Sequence, residues 1–340
     1  MAKIKVHRLR SVFALLVLLA AGALPLGAAA DAVADAPTEI RIATLAPNGS
    51  SWMKVFNAWN RSVRKQTNDT LKLRFYPGGS QGDERDFIRK MRAGQVDGAS
   101  ITTLGLSKLV RSVLVLTVPG VFNEYEQLDR VRDALGVQLE ELFDKEGYVV
   151  LAWGDVGKTR LFSTERIERP SEIKKRRPWA WKDDVLFTEL LKVIGANPVR
   201  LGMPEVYPGL QTRMIDTVPA SALAALSMQW YTRLKYVSKS NSGIIVGATV
   251  IRKDRLEALS EEHRRVLLDT SAQVEKALQK AIRRDDGNAY QAMIGRTLVA
   301  VDTTEYQGEW EDVSRQVRER LAGRVYPKSL LEAVTKAAAE

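Results

Sequence analysis

The sequence predicts an α/β protein of two lobes. Three observations carry that expectation. Strand-like and helix-like segments alternate from about residue 38 onward, 45% of the residues are hydrophobic, and the chain is 340 residues long. Alternating β and α segments imply strands covered by helices. Setting aside the export region described below, about 305 residues remain, more than one ordinary core holds.

The elements follow in order. In "EIRIATLA", Ile40, Ile42 and Thr44 alternate with Arg41 and Ala43, the period of a strand. "PNGSS" turns the chain, and Ser50 or Ser51 caps a helix over "WMKVFNAWNRSVRKQT". That helix gathers Met53, Phe56 and Val63 on one side, with Trp52, Phe56 and Trp59 at three- and four-residue spacing. "LKLRFYP" is a second strand, "GGSQGDERDFIRKMRAG" a Gly-rich turn entering a helix, and "VDGASIT" a third strand. This β-α-β-α-β order implies a mostly parallel sheet. "GYVVLAWGDVGKTRLFS" reads as a long apolar strand, bent at Gly154 or Gly157 and placed to cross between lobes. "PWAW" is strand-like, and the helix "DDVLFTELLKVIG" after it is capped by Asp183 or Asp184 and stopped at Gly195. "NPVRLGM" is a strand, "PEVYPGLQTRM" a helix, "IDTVPAS" a strand and "ALAALSMQWYTRLKY" a helix or helix pair. "SGIIVGATVIRKD" is a β hairpin or a crossing strand. From Arg255 the chain is mainly helical to Asn288 and beyond, and two further helices span "TEYQGEWEDVSRQVRERLAG" and "YPKSLLEAVTKAAAE".

The head of the chain predicts its compartment. Lys3, Lys5, Arg8 and Arg10 precede the apolar run "SVFALLVLLAAGALPLG" and the small-residue stretch "AAADAVADA". This is the layout of a signal peptide over residues 1–30, with cleavage as late as 34. A membrane anchor is the competing reading, but the run is short for a bilayer and broken by Gly22, Pro25 and Gly27. With no cysteine there is neither a disulfide nor a thiol for a lipid anchor, so the expectation is a periplasmic protein, exported and free of lipid.

Loss of the signal peptide removes four of the 51 basic residues and none of the 41 acidic ones, leaving a net charge near +6. Both signs interleave along the remainder, whereas a nucleic-acid binder concentrates its positive charge in a stripe. No nucleic-acid partner is expected. There is no P-loop, no G-x-S-x-G and no H-E-x-x-H, and His263 is the one histidine left after export. Thiolate chemistry is excluded, and neither a metal nor a cofactor is expected. A carboxylate pair drawn from Asp155, Asp183, Asp184, Glu205 and Asp216 keeps an enzyme open as an alternative.

Five segments share one further property. "FYPGGSQGDERDFIRKMRAGQVDGAS", "LTVPGVFNEYEQ", "LAWGDVGKTRLFS", "IERPSEIKKRRPWAW" and "GANPVRLGMPEVYPGLQTRMIDTVPAS", in this order, resemble the extracytoplasmic solute-binding proteins of TRAP transporters, the DctP type. The resemblance covers about residues 38–325. It implies a periplasmic-binding-protein-like fold, two α/β lobes joined by crossing strands and a long helix, that closes over a small-molecule ligand. Lobe I would comprise 38–155 plus about 245–275, lobe II 156–244 plus about 276–325, and 326–340 a C-terminal helix. The implied partners are the membrane subunits of a TRAP transporter. A periplasmic sensor or a TPR-type lipid-handling partner is the alternative.

In carboxylate-binding members of that family, an arginine ending a "G-x-K-h-R" stretch clamps the ligand through paired charge-assisted bonds. That place falls on Trp179 counting forward from "SEIKK" and on Ala180 counting back from "GANP". The family's asparagine after its "v-D" is Ala220 here, and a polar residue near the start of the first helix is Trp52. Arg160 in "GKTRLFS" matches a second family arginine. The expected ligand-binding residues are Trp179, Arg160, Trp52, Tyr207, Trp181, Trp153, Met203 and Ala220. For Trp179 and Trp181 a pocket wall and an ordinary strand core both stay open, since period-two spacing puts them on one face. Arg160 is a ligand contact or an interlobe ion pair, and Lys174, Lys175, Arg176 and Arg177 are a solvated loop or a docking patch. Without the clamp arginine, the expected ligand is apolar or weakly polar, with one acidic end allowed at Arg160.

Overall fold

The computed structural model describes residues 36–340, so the signal peptide expected over 1–30 lies outside the described residues. β1 (Thr38–Thr44) leads into α1 (Ser51–Gln66), whose N-cap Ser50 accepts from the Met53 N–H. α1 buries Met53, Phe56, Trp59 and Val63. β2 (Leu71–Tyr76) follows, then α2 (Glu84–Arg92), started by a capping box between Asp83 and Asp86. β3 (Gly98–Thr102), the short α3 (Thr103–Leu106), α4 (Tyr125–Lys145) and β4 (Tyr148–Lys158) complete the first pass.

The chain then enters the second lobe through β5 (Arg160–Ser163). Gly157 makes the bend. Its φ is +128°, and a Cβ there would lie 2.6 Å from both Asp286 Cγ and Ser221 Cβ, so only glycine fits. β6 (Trp179–Trp181) precedes α5 (Val185–Ile194), capped by Asp184 and ended by Gly195 at φ +84°. β7 (Val199–Leu201), α6 (Val206–Gln211), β8 (Thr217–Ala220), α7 (Ala222–Ser227) and β9 (Tyr236–Ser238) follow. β10 (Ile244–Arg252) returns to the first lobe and leads to α8 (Lys253–Glu257) and the 34-residue α9 (Glu261–Ile294). β11 (Val299–Val301), α10 (Gln307–Leu321) and α11 (Lys328–Ala339) close the chain.

The strands form sheets ordered β2-β1-β3-β10-β4 and β11-β9-β5-β8, with β6 and β7 paired apart. The sheets are mixed rather than mostly parallel. β10 runs antiparallel to β3 and β4, and β5 antiparallel to β8 and β9. The parallel expectation holds for β1 with β2 and β3, where helical crossovers join the strands. It fails where the chain comes back from the second lobe, because a returning strand enters the sheet from the opposite end. "SGIIVGATVIRKD" is accordingly one crossing strand, not a hairpin.

α9 spans both lobes. Near its start Thr270 Oγ1 accepts from the Trp59 indole at 3.0 Å, and near its end Asp286 accepts from the Leu223 N–H at 2.9 Å. Between them Arg283 binds Asp155 on β4 at 2.6 Å, and Asp155 also pairs with the buried Arg132 of α4 at 2.7 Å. α11 packs on α4 of the first lobe, where Arg130 donates to Ala338 O at 2.6 Å.

Candidate functional site

A cavity of about 680 Å³ opens between the lobes where β5 and β8 begin and end. Arg160 opens β5 opposite Ala220, the last residue of β8, so the register brings two of the expected site residues side by side. Thr102, Thr103 and Leu104 cover the cavity from the first lobe. Leu186, Phe187 and Leu190 of α5 and Trp310 of α10 extend its apolar lining.

Arg160 is the polar centre of the cavity. One terminal nitrogen donates to the carbonyls of Ser238, at 3.2 Å, and Lys239. The guanidinium lies 4.0 Å from the Tyr290 ring centre, and its Nε is buried without a partner. Among the described residues no carboxylate forms an ion pair with it, so the interlobe salt bridge is not formed. The other two cations lining the cavity are both paired, Lys158 with Glu124 at 2.6 Å and Lys239 with Asp302 at 3.1 Å. Beneath Arg160, burial pushes the Asp286 carboxyl above its ordinary value, while bonds from the Lys158 and Leu223 N–H groups and the nearby guanidinium hold it down.

Three indoles make the wall. Trp179 is 4% exposed, meets Trp230 edge-on with ring centres 5.6 Å apart, and lies 6.1 Å from Trp181. Its N–H is spent on Leu201 O at 3.1 Å, and that of Trp181 on Asp83 Oδ2 at 2.8 Å. The two residues therefore line the cavity and belong to the packed strand at once, and both indole N–H donors are already engaged. Two carboxyls frame this part of the cleft. Asp184 lines it, and burial pushes its carboxyl up to about 6 although it caps the Leu186 and Phe187 N–H groups. Glu84 is buried behind the roof, accepts from Thr102 N, Thr102 Oγ1 and Gly105 N, and is pushed by burial up to about 7.

The structure brings Trp179, Trp181, Arg160, Met203 and Ala220 to this cavity. Trp52, Trp153 and Tyr207, expected at the site, lie away from this cavity. The Trp52 indole donates to Asp155 O at 3.2 Å, behind β4. Trp153 faces α4, donating to Glu140 at 2.9 Å and meeting Phe143 edge-on. Tyr207 stacks with Arg233 away from the cavity, and the bond from Arg233 holds its phenol below the ordinary value. Sequence reasoning missed Trp230, Phe187 and Trp310. Each sits in a segment read as helical, and periodicity alone does not say which helix face meets a cleft. Lys174, Lys175 and Arg177 of the basic run are exposed, with Arg177 paired to Asp216 at 3.2 Å.

Comparison with known proteins gives a consistent picture. Residues 42–323 match the family described as bacterial extracellular solute-binding protein, family 7, DctP. The chain is 23% identical over 282 residues to the C4-dicarboxylate-binding periplasmic protein DctP of Rhodobacter capsulatus, covering 82% of this chain and 84% of that one. It is 23% identical over 270 residues to the 2,3-diketo-L-gulonate-binding periplasmic protein YiaO of Escherichia coli, covering 77% and 80%. A TRAP periplasmic solute-binding protein from Shewanella oneidensis with bound succinate superposes with a TM-score of 0.84 at 18% identity, covering 89% of this chain and 100% of that one. A sugar acid binding protein from Advenella mimigardefordensis in complex with galactonate gives 0.83 at 19% identity, covering 89% and 98%.

Proposed function

Because the chain belongs to family 7 of the bacterial extracellular solute-binding proteins, periplasmic receptors of TRAP transporters rather than enzymes, we propose that its cleft captures an organic acid with one carboxylate and an apolar or weakly polar body. The observation that carries this reading is the charge balance of the cavity lining. Lys158 and Lys239 are paired, and Arg160 is the lining cation with no carboxylate partner among the described residues. One unpaired guanidinium matches one carboxylate through charge-assisted bonds. Beyond Arg160 the ligand meets the partly exposed Trp181, backed by the packed indoles of Trp179 and Trp230, an apolar wall that suits a flat or aliphatic body.

The named relatives bind a dicarboxylate and a sugar acid, and for this chain the acid end is retained while the body differs. A second carboxylate pressed on the indole wall would lose its water and recover no cation, at a cost of several kcal/mol. The same holds, with less force, for the hydroxyls of a sugar acid, because both strand indole N–H groups are already engaged. Delivery goes to the membrane subunits of a TRAP transporter. Nothing among the described residues or the relatives favours a sensor or a TPR-type partner.

Mass spectrometry of small molecules released from protein purified out of its periplasm tests the reading. A monocarboxylic acid with an aromatic or alkyl body is expected. A dicarboxylate, a sugar acid or a neutral metabolite as the retained ligand would refute it.

A further inference from the structure

We infer that Asp83 is a specificity-determining latch: it reaches from the first lobe across the cleft and fixes the position of the Trp181 indole in the pocket wall. Asp83 stands at the end of the Gly-rich turn, as the N-cap of α2. Its Oδ1 accepts from the N–H of Glu84, the first residue of α2, at 2.8 Å. Its Oδ2 turns outward and accepts two bonds from the second lobe, the Trp181 indole at 2.8 Å and the Met203 N–H at 3.0 Å. A carboxylate receiving two N–H donors across a cleft makes charge-assisted bonds, about twice as strong as neutral ones.

The surroundings are shaped for this approach. A Cβ on Gly202 would lie 2.8 Å from Asp83 Oδ2, so a side chain there would push the carboxylate off its donors. Beside the latch, Lys108 on the first lobe pairs with Asp183 on the second at 3.3 Å. Both contacts border a smaller recess of about 240 Å³, lined by Asp83 and Trp181 together with Lys108 and Asp183.

Trp181 therefore belongs to two structures, the ligand wall and the lobe-to-lobe contact. A ligand accommodated without moving its ring leaves the latch intact, and one that displaces the ring breaks one of the bonds that join the lobes across the cleft. Closure is then coupled to ligand shape, as a population shift requires. The latch is a property of the protein itself, so its test needs no ligand and stands apart from the question of which acid binds.

The chain has no cysteine, so two can be introduced and spin-labelled without background. Val137 on α4 and Met214 after α6 are exposed, one on each lobe. The distance between labels at V137C and M214C is measured by pulsed electron resonance in the parent, Trp181→Phe, Asp83→Asn, Asp83→Ala and the double variant. Trp181→Phe keeps an aromatic ring but removes the donor together with the five-membered part of the indole, so it is read beside Asp83→Asn, which keeps an oxygen to cap α2 and removes the carboxylate charge. Each single variant is expected to lower the ratio of closed to open molecules on the order of tenfold, and the double variant no further than Asp83→Ala alone. An unchanged distribution in Trp181→Phe, or additive shifts in the double variant, would overturn the latch.

Discussion

Glu84 illustrates how a single buried side chain shapes this cleft. It is 4% exposed and holds the turn between β3 and α3 through three hydrogen bonds, so Thr102, Thr103 and Leu104 sit where the cavity needs a roof. Burial raises its carboxyl from the ordinary 4.5 to about 7. A carboxyl raised on folding makes the native state hold its proton longer than the unfolded chain does. Its contribution is therefore fully present below about pH 4.5 and is lost as pH rises toward 7, by about 3 kcal/mol in all at 1.36 kcal/mol per unit. Urea unfolding of the parent and Glu84→Gln between pH 4 and 8 checks this. The parent should lose stability relative to the variant across that interval, and a constant difference would contradict the sign.

At the scale of elements, the bend between β4 and β5 is the joint on which the site depends, because it delivers Arg160 beside Ala220. Gly157→Ala should destabilise the protein by about 2–5 kcal/mol, combining a disfavoured positive φ with overpacking against Asp286 and Ser221. Denaturant unfolding measures it, and a loss below about 1 kcal/mol would mean that the joint relaxes freely. Gly154 and Gly157 were both legible as candidates for this bend. So were the ends of α5, because Asp184 and Gly195 are local signals that no tertiary contact overrides. α4 carries an equally local signal, since Leu128, Val131, Leu135, Leu139 and Leu142 recur at helical spacing there. Strand period told which residues share a face and not what covers it. Trp179 and Trp181 face the cleft, whereas Trp153 faces α4, and only the packed neighbours separate the two cases. The Asp83–Trp181 bond joins residues 98 positions apart across two lobes, and no local pattern announces it.

For the whole molecule, the lobes are tied together by continuous packing as well as by the crossing strands β4 and β10 and the helix α9. One hydrophobic cluster runs from Trp153 to Leu186 and another from Phe56 to Trp179, so the cores of the two lobes merge rather than ending at the cleft. Closure of such a body repositions the indole wall and Arg160 together, and the ligand must satisfy both in one geometry. The most direct measurement is calorimetric titration of the parent and Arg160→Gln with phenylacetate, hexanoate, succinate and galacturonate. The parent is expected to bind an apolar monocarboxylate in preference to succinate and galacturonate, and Arg160→Gln to weaken this binding by about 1.5–3 kcal/mol, the scale of a hydrogen bond to a charged group. Tight binding of succinate or galacturonate that survives Arg160→Gln unchanged would contradict that expectation.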